Sequence, residues 1–134
     1  MTNSATLSAI PLVTFVPINE KDQAIAFYCD KLGLTLVEDQ SPFALVLDAN
    51  GTVIRATFAG DFKPQPFTVL GWRVDDIAAM VAGLQAVGVD FNHYPWMSGG
   101  DSSFIWTAPG GTQIAWFNDP FGNVLSLQQN IPVS

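Results

Sequence analysis

One succession of patterns occurs twice along the chain, and it limits the possible folds more than any other feature. An apolar, β-rich run at residues 10–18 leads to Ala24, Ile25, Phe27, Tyr28 and Leu32 at helical spacing, where Gly33 stops the run. Asn19, with Asp22 three places on, is the expected N-cap of that helix. Strand-like runs follow at 34–38, 43–47 and 52–58, with a turn over Asp48, Ala49, Asn50 and Gly51 between the last two. After a Gly/Pro/charged linker at 60–66 the order returns. A strand is expected at 67–74, followed by capping residues Asp75 and Asp76. Ile77, Met80, Val81, Leu84 and Val87 then fall at helical spacing, and Gly88 is the stop. A strand at 89–94 and a hairpin around Asp119-Pro120-Phe121-Gly122-Asn123 complete the second copy. Leu32-Gly33-Leu34 registers with Val87-Gly88-Val89, and Val13 with Val69.

The expected fold is therefore α+β: two tandem βαβββ modules, about 10–59 and 67–130, forming one domain over residues 1–134. One helix per four strands covers one sheet face and leaves the other bare. Two such sheets side by side would make a cupped mixed sheet, a natural seat for a ligand. Residues 1–9 read as a loose leader. The insert at 95–109 carries Ser98-Gly99-Gly100-Asp101-Ser102-Ser103, which makes the 97–103 loop a candidate lid.

Charge narrows the partners. The net charge is −7, with only Lys21, Lys31, Arg55, Lys63 and Arg73 basic, so no basic patch can form for nucleic acid or an anionic membrane. No apolar run approaches a membrane span, and the first nine residues lack a secretory pattern. A single cysteine, Cys29, cannot form an internal disulfide, which fits the cytoplasm.

Two stretches carry a family resemblance: Ala26-Phe27-Tyr28-Cys29-Asp30-Lys31-Leu32-Gly33-Leu34, and Trp116-Phe117-Asn118-Asp119-Pro120-Phe121-Gly122-Asn123. With the paired modules, they make the chain resemble the vicinal oxygen chelate superfamily. This group contains glyoxalase I, extradiol dioxygenases, fosfomycin-resistance transferases and bleomycin-resistance proteins. The resemblance covers nearly the whole chain. It implies a cupped sheet, usually a homodimer, and often a divalent metal held by His and Glu on four strands. The matching positions here are Val13, Arg55, Val69 and Ser126. None is an ordinary His or carboxylate ligand, so a metal-free site without cofactor is expected.

The residues then divide by role. Arg55 lies in an apolar strand at a former ligand position, and a guanidinium there suits a carboxylate or carbonyl. The alternative is an ion pair across an interface or a snorkelling edge residue. Arg73 is expected to pair with nearby Asp75. Val13, Phe15, Val69, Gly71, Trp106, Ile114, Trp116 and Ser126 are expected to line the cup with Arg55, and Trp96 lies at the start of the insert. His93, Tyr94 and Asp101 are the acid/base candidates, with no evident partners in sequence. Cys29 reads as an inert buried thiol. Ser126 lacks a nucleophile elbow, and the glycine pairs lack a phosphate-loop frame.

Three functions follow. The chain is foremost a metal-free small-molecule-binding protein, sequestering an antibiotic or metabolite as bleomycin-resistance proteins do in the family. The alternatives are a metal-independent enzyme, and a lyase or dioxygenase acting on a small carbonyl or aromatic substrate.

Overall fold

The computed structural model describes residues 6–97 and 104–130, and the proposed lid at 98–103, with Asp101, lies outside them. The first module contains β1 (Val13–Ile18), α1 (Lys21–Ile25), β2 (Thr35–Gln40), β3 (Ala44–Ala49) and β4 (Thr52–Phe58). The second contains β5 (Thr68–Arg73), α2 (Ile77–Ala86), β6 (Trp106–Thr107), β7 (Gln113–Asn118) and β8 (Val124–Gln129). Each forms a four-stranded sheet of the same plan: sheet A is ordered β1-β4-β3-β2 and sheet B β5-β8-β7-β6. The first and last strands of each module run parallel and the remaining pairs antiparallel. β1 and β5 are both edge strands, so the sheets are not joined within the chain.

Four local expectations change. The first helix is capped by Glu20, whose side chain accepts from the Gln23 N–H, rather than by Asn19. It does not continue as one α-helix but widens into a π-helix over Ala26–Lys31. The first strand begins at Val13, since Pro11 withholds a ladder donor from the stretch before it. The largest change is at 89–94, which forms no strand: only Phe91 keeps a single bridge, to Phe117. The fourth strand of sheet B is instead the two-residue β6, within the insert. Phe91 and Val89 are buried, so the apolar signal was real, but it reports packing against β7 rather than a ladder.

Where caps and turns were expected, several hold. Asp76 accepts from the Ala79 N–H at 3.1 Å, a cap worth about 1 kcal/mol. Asn50 and Gly51 both take positive φ, as a two-residue turn between β3 and β4 requires.

Alternation sets the faces. Val16, Ile18, Leu45, Leu47, Ile54 and Ala56 of sheet A are buried. With Leu70, Ala115, Phe117, Leu125 and Leu127 of sheet B, they form one core with the helical segments. A polar latch ties the modules through that core. The Tyr28 hydroxyl donates to Asp119 Oδ2 at 2.6 Å, and Asn123 Nδ2 donates both to Asp119 Oδ2 and to the Pro17 carbonyl. Asp119 Oδ1 accepts the backbone N–H groups of Phe121 and Asn123, which closes the turn. Both family-like stretches thus meet in one buried network.

Candidate functional site

The bare face of sheet B carries most of the expected site. Two rows cross it by register. In one, Gly71 on β5 pairs with Ser126 on β8, which pairs with Trp116 on β7. In the next, Arg73 pairs with Gln128, Gln128 with Ile114, and Ile114 with Trp106. Gly71, Trp106, Ile114, Trp116 and Ser126 are therefore brought together.

Val69 departs from this face. The β5 register shifts between Thr68 and Leu70, and Val69 packs against the core. Thr68 takes the place beside Trp116, its hydroxyl accepting from the indole Nε1 at 3.2 Å. A bulge leaves no reliable mark in sequence, so alternation carried from Gly71 back to Val69 gave the wrong face.

The sheet ends in a cluster of four rings. Trp116 meets Tyr94, Trp96 and Trp106 at centroid separations of 5.7, 5.6 and 6.0 Å. Trp96 stands edge-on to Trp106 at 5.3 Å and lies parallel to Tyr94 at 5.5 Å. Each pair adds roughly 0.5–1.5 kcal/mol beyond area burial. Trp96 and Trp116 each meet the other three rings. Trp96 is 57% exposed. Tyr94 and Trp96 were not placed in the cup from sequence. The signal was available, two aromatics around Pro95, but the strand expected at 89–94 left them without a common face.

Ser126 sits one position from Trp116 and is 8% exposed. Its hydroxyl makes no hydrogen bond among the described residues. A Cβ at Gly71 would lie 2.8 Å from Ser126 Oγ, so glycine keeps that side of the hydroxyl open.

Sheet A presents the other candidates. Phe15, Arg55 and Val46 form one row on its bare face, with Val13 further along β1. Arg55 is half-buried and donates from Nη1 to Gln40 Oε1 at 2.7 Å, and Gln40 Nε2 in turn meets Glu38. No carboxylate lies within ion-pair distance of Arg55; among the described residues the one ion pair is Lys21–Asp39. Arg73 likewise forms no pair with Asp75, contrary to expectation, and is exposed. Arg55 and Ser126 stand on separate sheets.

Four residues stand where the resemblance implies metal ligands. Val13 and Val69 offer no donor atom, Arg55 brings a fixed cation and Ser126 one hydroxyl, a set that does not suit a divalent ion. Among the described residues no three His, Cys, Asp or Glu side chains group together. His93 is half-buried and already engaged. Tyr94 is occupied by its ring contacts and by Asn92 Nδ2 on its hydroxyl. Cys29 is only partly buried, contrary to the expected buried thiol, but that burial, helped by the Asp30 carboxylate, pushes its thiol up, away from the reactive thiolate.

Comparison with family models matches residues 11–127 to the Glyoxalase/Bleomycin resistance protein/Dioxygenase superfamily. Comparison with curated proteins found no match. Among solved structures, a glyoxalase family protein from Bacillus anthracis is 16% identical with a TM-score of 0.70, covering 98% of this chain and 100% of its own. A lactoylglutathione lyase from Agrobacterium tumefaciens is 19% identical with a TM-score of 0.69, covering 92% and 94%. TnmS3, an antibiotic binding protein from Streptomyces sp. CB03234, is 26% identical with a TM-score of 0.61, covering 90% and 95%. The first two likenesses concern the fold. No helix among the described residues is long and apolar enough to cross a membrane.

Proposed function

Since the chain belongs to the Glyoxalase/Bleomycin resistance protein/Dioxygenase superfamily, we propose that it is a metal-free small-molecule-binding protein that holds a flat organic ligand, an antibiotic or a metabolite, on the bare face of sheet B. The observation that carries this is the ring cluster of Tyr94, Trp96, Trp106 and Trp116 beside a glycine and an unbonded hydroxyl. Aromatic shelves recruit planar or cationic molecules without specific chemistry. The likeness to an antibiotic binding protein supports the same choice. A lyase or dioxygenase would need a metal or an acid/base pair, and the site residues above lend support to neither.

Two copies of the chain complete the cup. Support comes from the unpaired edges of β1 and β5 and from Leu12, just before β1, and Val13 and Phe15 on it, which are 69%, 45% and 62% exposed. In such a homodimer Arg55, Phe15 and Val13 of one copy approach the rings of the other, and the guanidinium binds an anionic or carbonyl group. Its single cysteine supports a cytoplasmic location.

A thermal-shift screen of metabolites and antibiotics tests this. Hits should lose their shift in Trp116→Ala. Arg55→Ala should weaken them by roughly 1.5–3 kcal/mol, the worth of a charged hydrogen bond. Stoichiometric Ni, Zn, Fe or Mn in protein purified without chelator would sink the metal-free assignment.

A further inference from the structure

Every described buried polar group but one kind is already used. Asp119 and Asn123 are consumed by the latch, and Tyr28 with them. Ser126 differs: it is more than nine-tenths buried, yet its hydroxyl has no partner among the described residues. A serine on a strand usually returns its hydrogen bond to nearby backbone or to a cross-strand neighbour. Here the cross-strand neighbour on one side is Trp116, whose indole N–H is turned to Thr68 instead. On the other side the neighbour is Gly71, which has no side chain to offer. The register therefore leaves an opening over Ser126 Oγ, one strand away from an aromatic shelf.

We propose that Gly71 and Ser126 form a hydrogen-bonding notch that selects, among planar aromatic molecules, those carrying a hydroxyl on the edge facing β5. This deepens the small-molecule reading above and rests on it. Strands lie about 4.8 Å apart, so the spacing from Trp116 to Ser126 matches a ring and its substituent oxygen. The hydroxyl of Ser126 can accept from the ligand or donate to it. Gly71 is then a specificity position, because any larger residue closes the notch: even alanine would place a carbon 2.8 Å from Ser126 Oγ.

The test uses the full chain and two probes of equal size, 2-naphthol and 2-methylnaphthalene, with dissociation constants from equilibrium dialysis. The methyl compound is the more apolar of the two, so a shelf without a notch prefers it. The expected result is that the protein prefers 2-naphthol, and that Ser126→Ala lowers the naphthol-to-methylnaphthalene affinity ratio roughly five- to tenfold. Gly71→Ala, a second route to the same loss, lowers the ratio likewise. A preference for 2-methylnaphthalene in the unmodified protein overturns the notch and leaves the shelf standing; so does a ratio that neither variant changes. Binding of neither probe overturns both.

Discussion

Removing one oxygen, in Tyr28→Phe, is the sharpest check on how the two modules are held together. The ring stays, so the packing of Tyr28 on Phe27 at 5.1 Å is kept and no large cavity opens. What goes is a 2.6 Å hydrogen bond between two buried groups, one of them a carboxylate. Hydrogen bonds to charged groups contribute roughly 1.5–3 kcal/mol. Asp119 keeps three other donors, the backbone N–H groups of Phe121 and Asn123 and the Asn123 side chain, so the loss should fall near 2 kcal/mol. For a chain of this size that lowers Tm by about 6–10 °C. The same bond has a pH signature. Burial, then the Asp119 carboxylate and its hydrogen bond, push the Tyr28 hydroxyl far above its ordinary value. The folded pKa is raised, so the contribution is complete below the unfolded value near 10 and declines as pH rises above it. Each further pH unit removes about 1.4 kcal/mol. Urea unfolding at pH 7.5, 10 and 11 measures both effects. Tyr28→Phe should be less stable than the parent at pH 7.5 and should show a shallower alkaline decline. A difference below about 0.5 kcal/mol at pH 7.5, or equal alkaline slopes, refutes the latch as an energetic link.

The other expectations are more local. Gly122→Ala should destabilise by about 1–3 kcal/mol in the same titration, because Gly122 has a φ of 92° and a Cβ would sit 2.8 Å from Pro64 Cγ. Cys29 should react severalfold more slowly with an aromatic disulfide reagent at pH 8 than an unstructured thiol, with full reactivity restored in denaturant; equal rates would contradict its raised pKa. Phe15→Glu should shift the protein to a monomer in sedimentation if β1 is the interface, and an unchanged mass would remove Phe15 from it.

The repeat, both helices and the hairpin were legible because each rests on short-range rules: spacing, caps and turn residues. Asp76 and Gly33 could be read almost residue by residue, since a cap or a stop is a local event. The π-helix at Ala26–Lys31 could not, because the apolar residues fit either spacing and the latch to Asp119 lies 91 residues away from Tyr28. Which expected residues share the bare face of sheet B was legible for a similar reason. Ser126, Trp116, Ile114, Trp106 and Gly71 follow from alternation in regular strands. Val69 failed at one bulge, and Tyr94 and Trp96 failed because the run at 89–94 packs on β7 without joining the ladder. The pairing of Arg73 with Asp75 failed because proximity in sequence does not aim two exposed side chains at each other.

One feature of sheet B bears on motion. β6 is two residues long and pairs only at Trp106 with Ile114 and Thr107 with Gln113, whereas β7 and β8 pair over six positions. The outer rim of the sheet is thus secured by ring contacts more than by amide ladders, and its amides should exchange with solvent through small local openings rather than through unfolding of the whole chain. A molecule resting on Trp96, Trp106 and Trp116 would close those openings. Slowed deuterium uptake confined to the β6 rim would then locate an occupant before its chemistry is known.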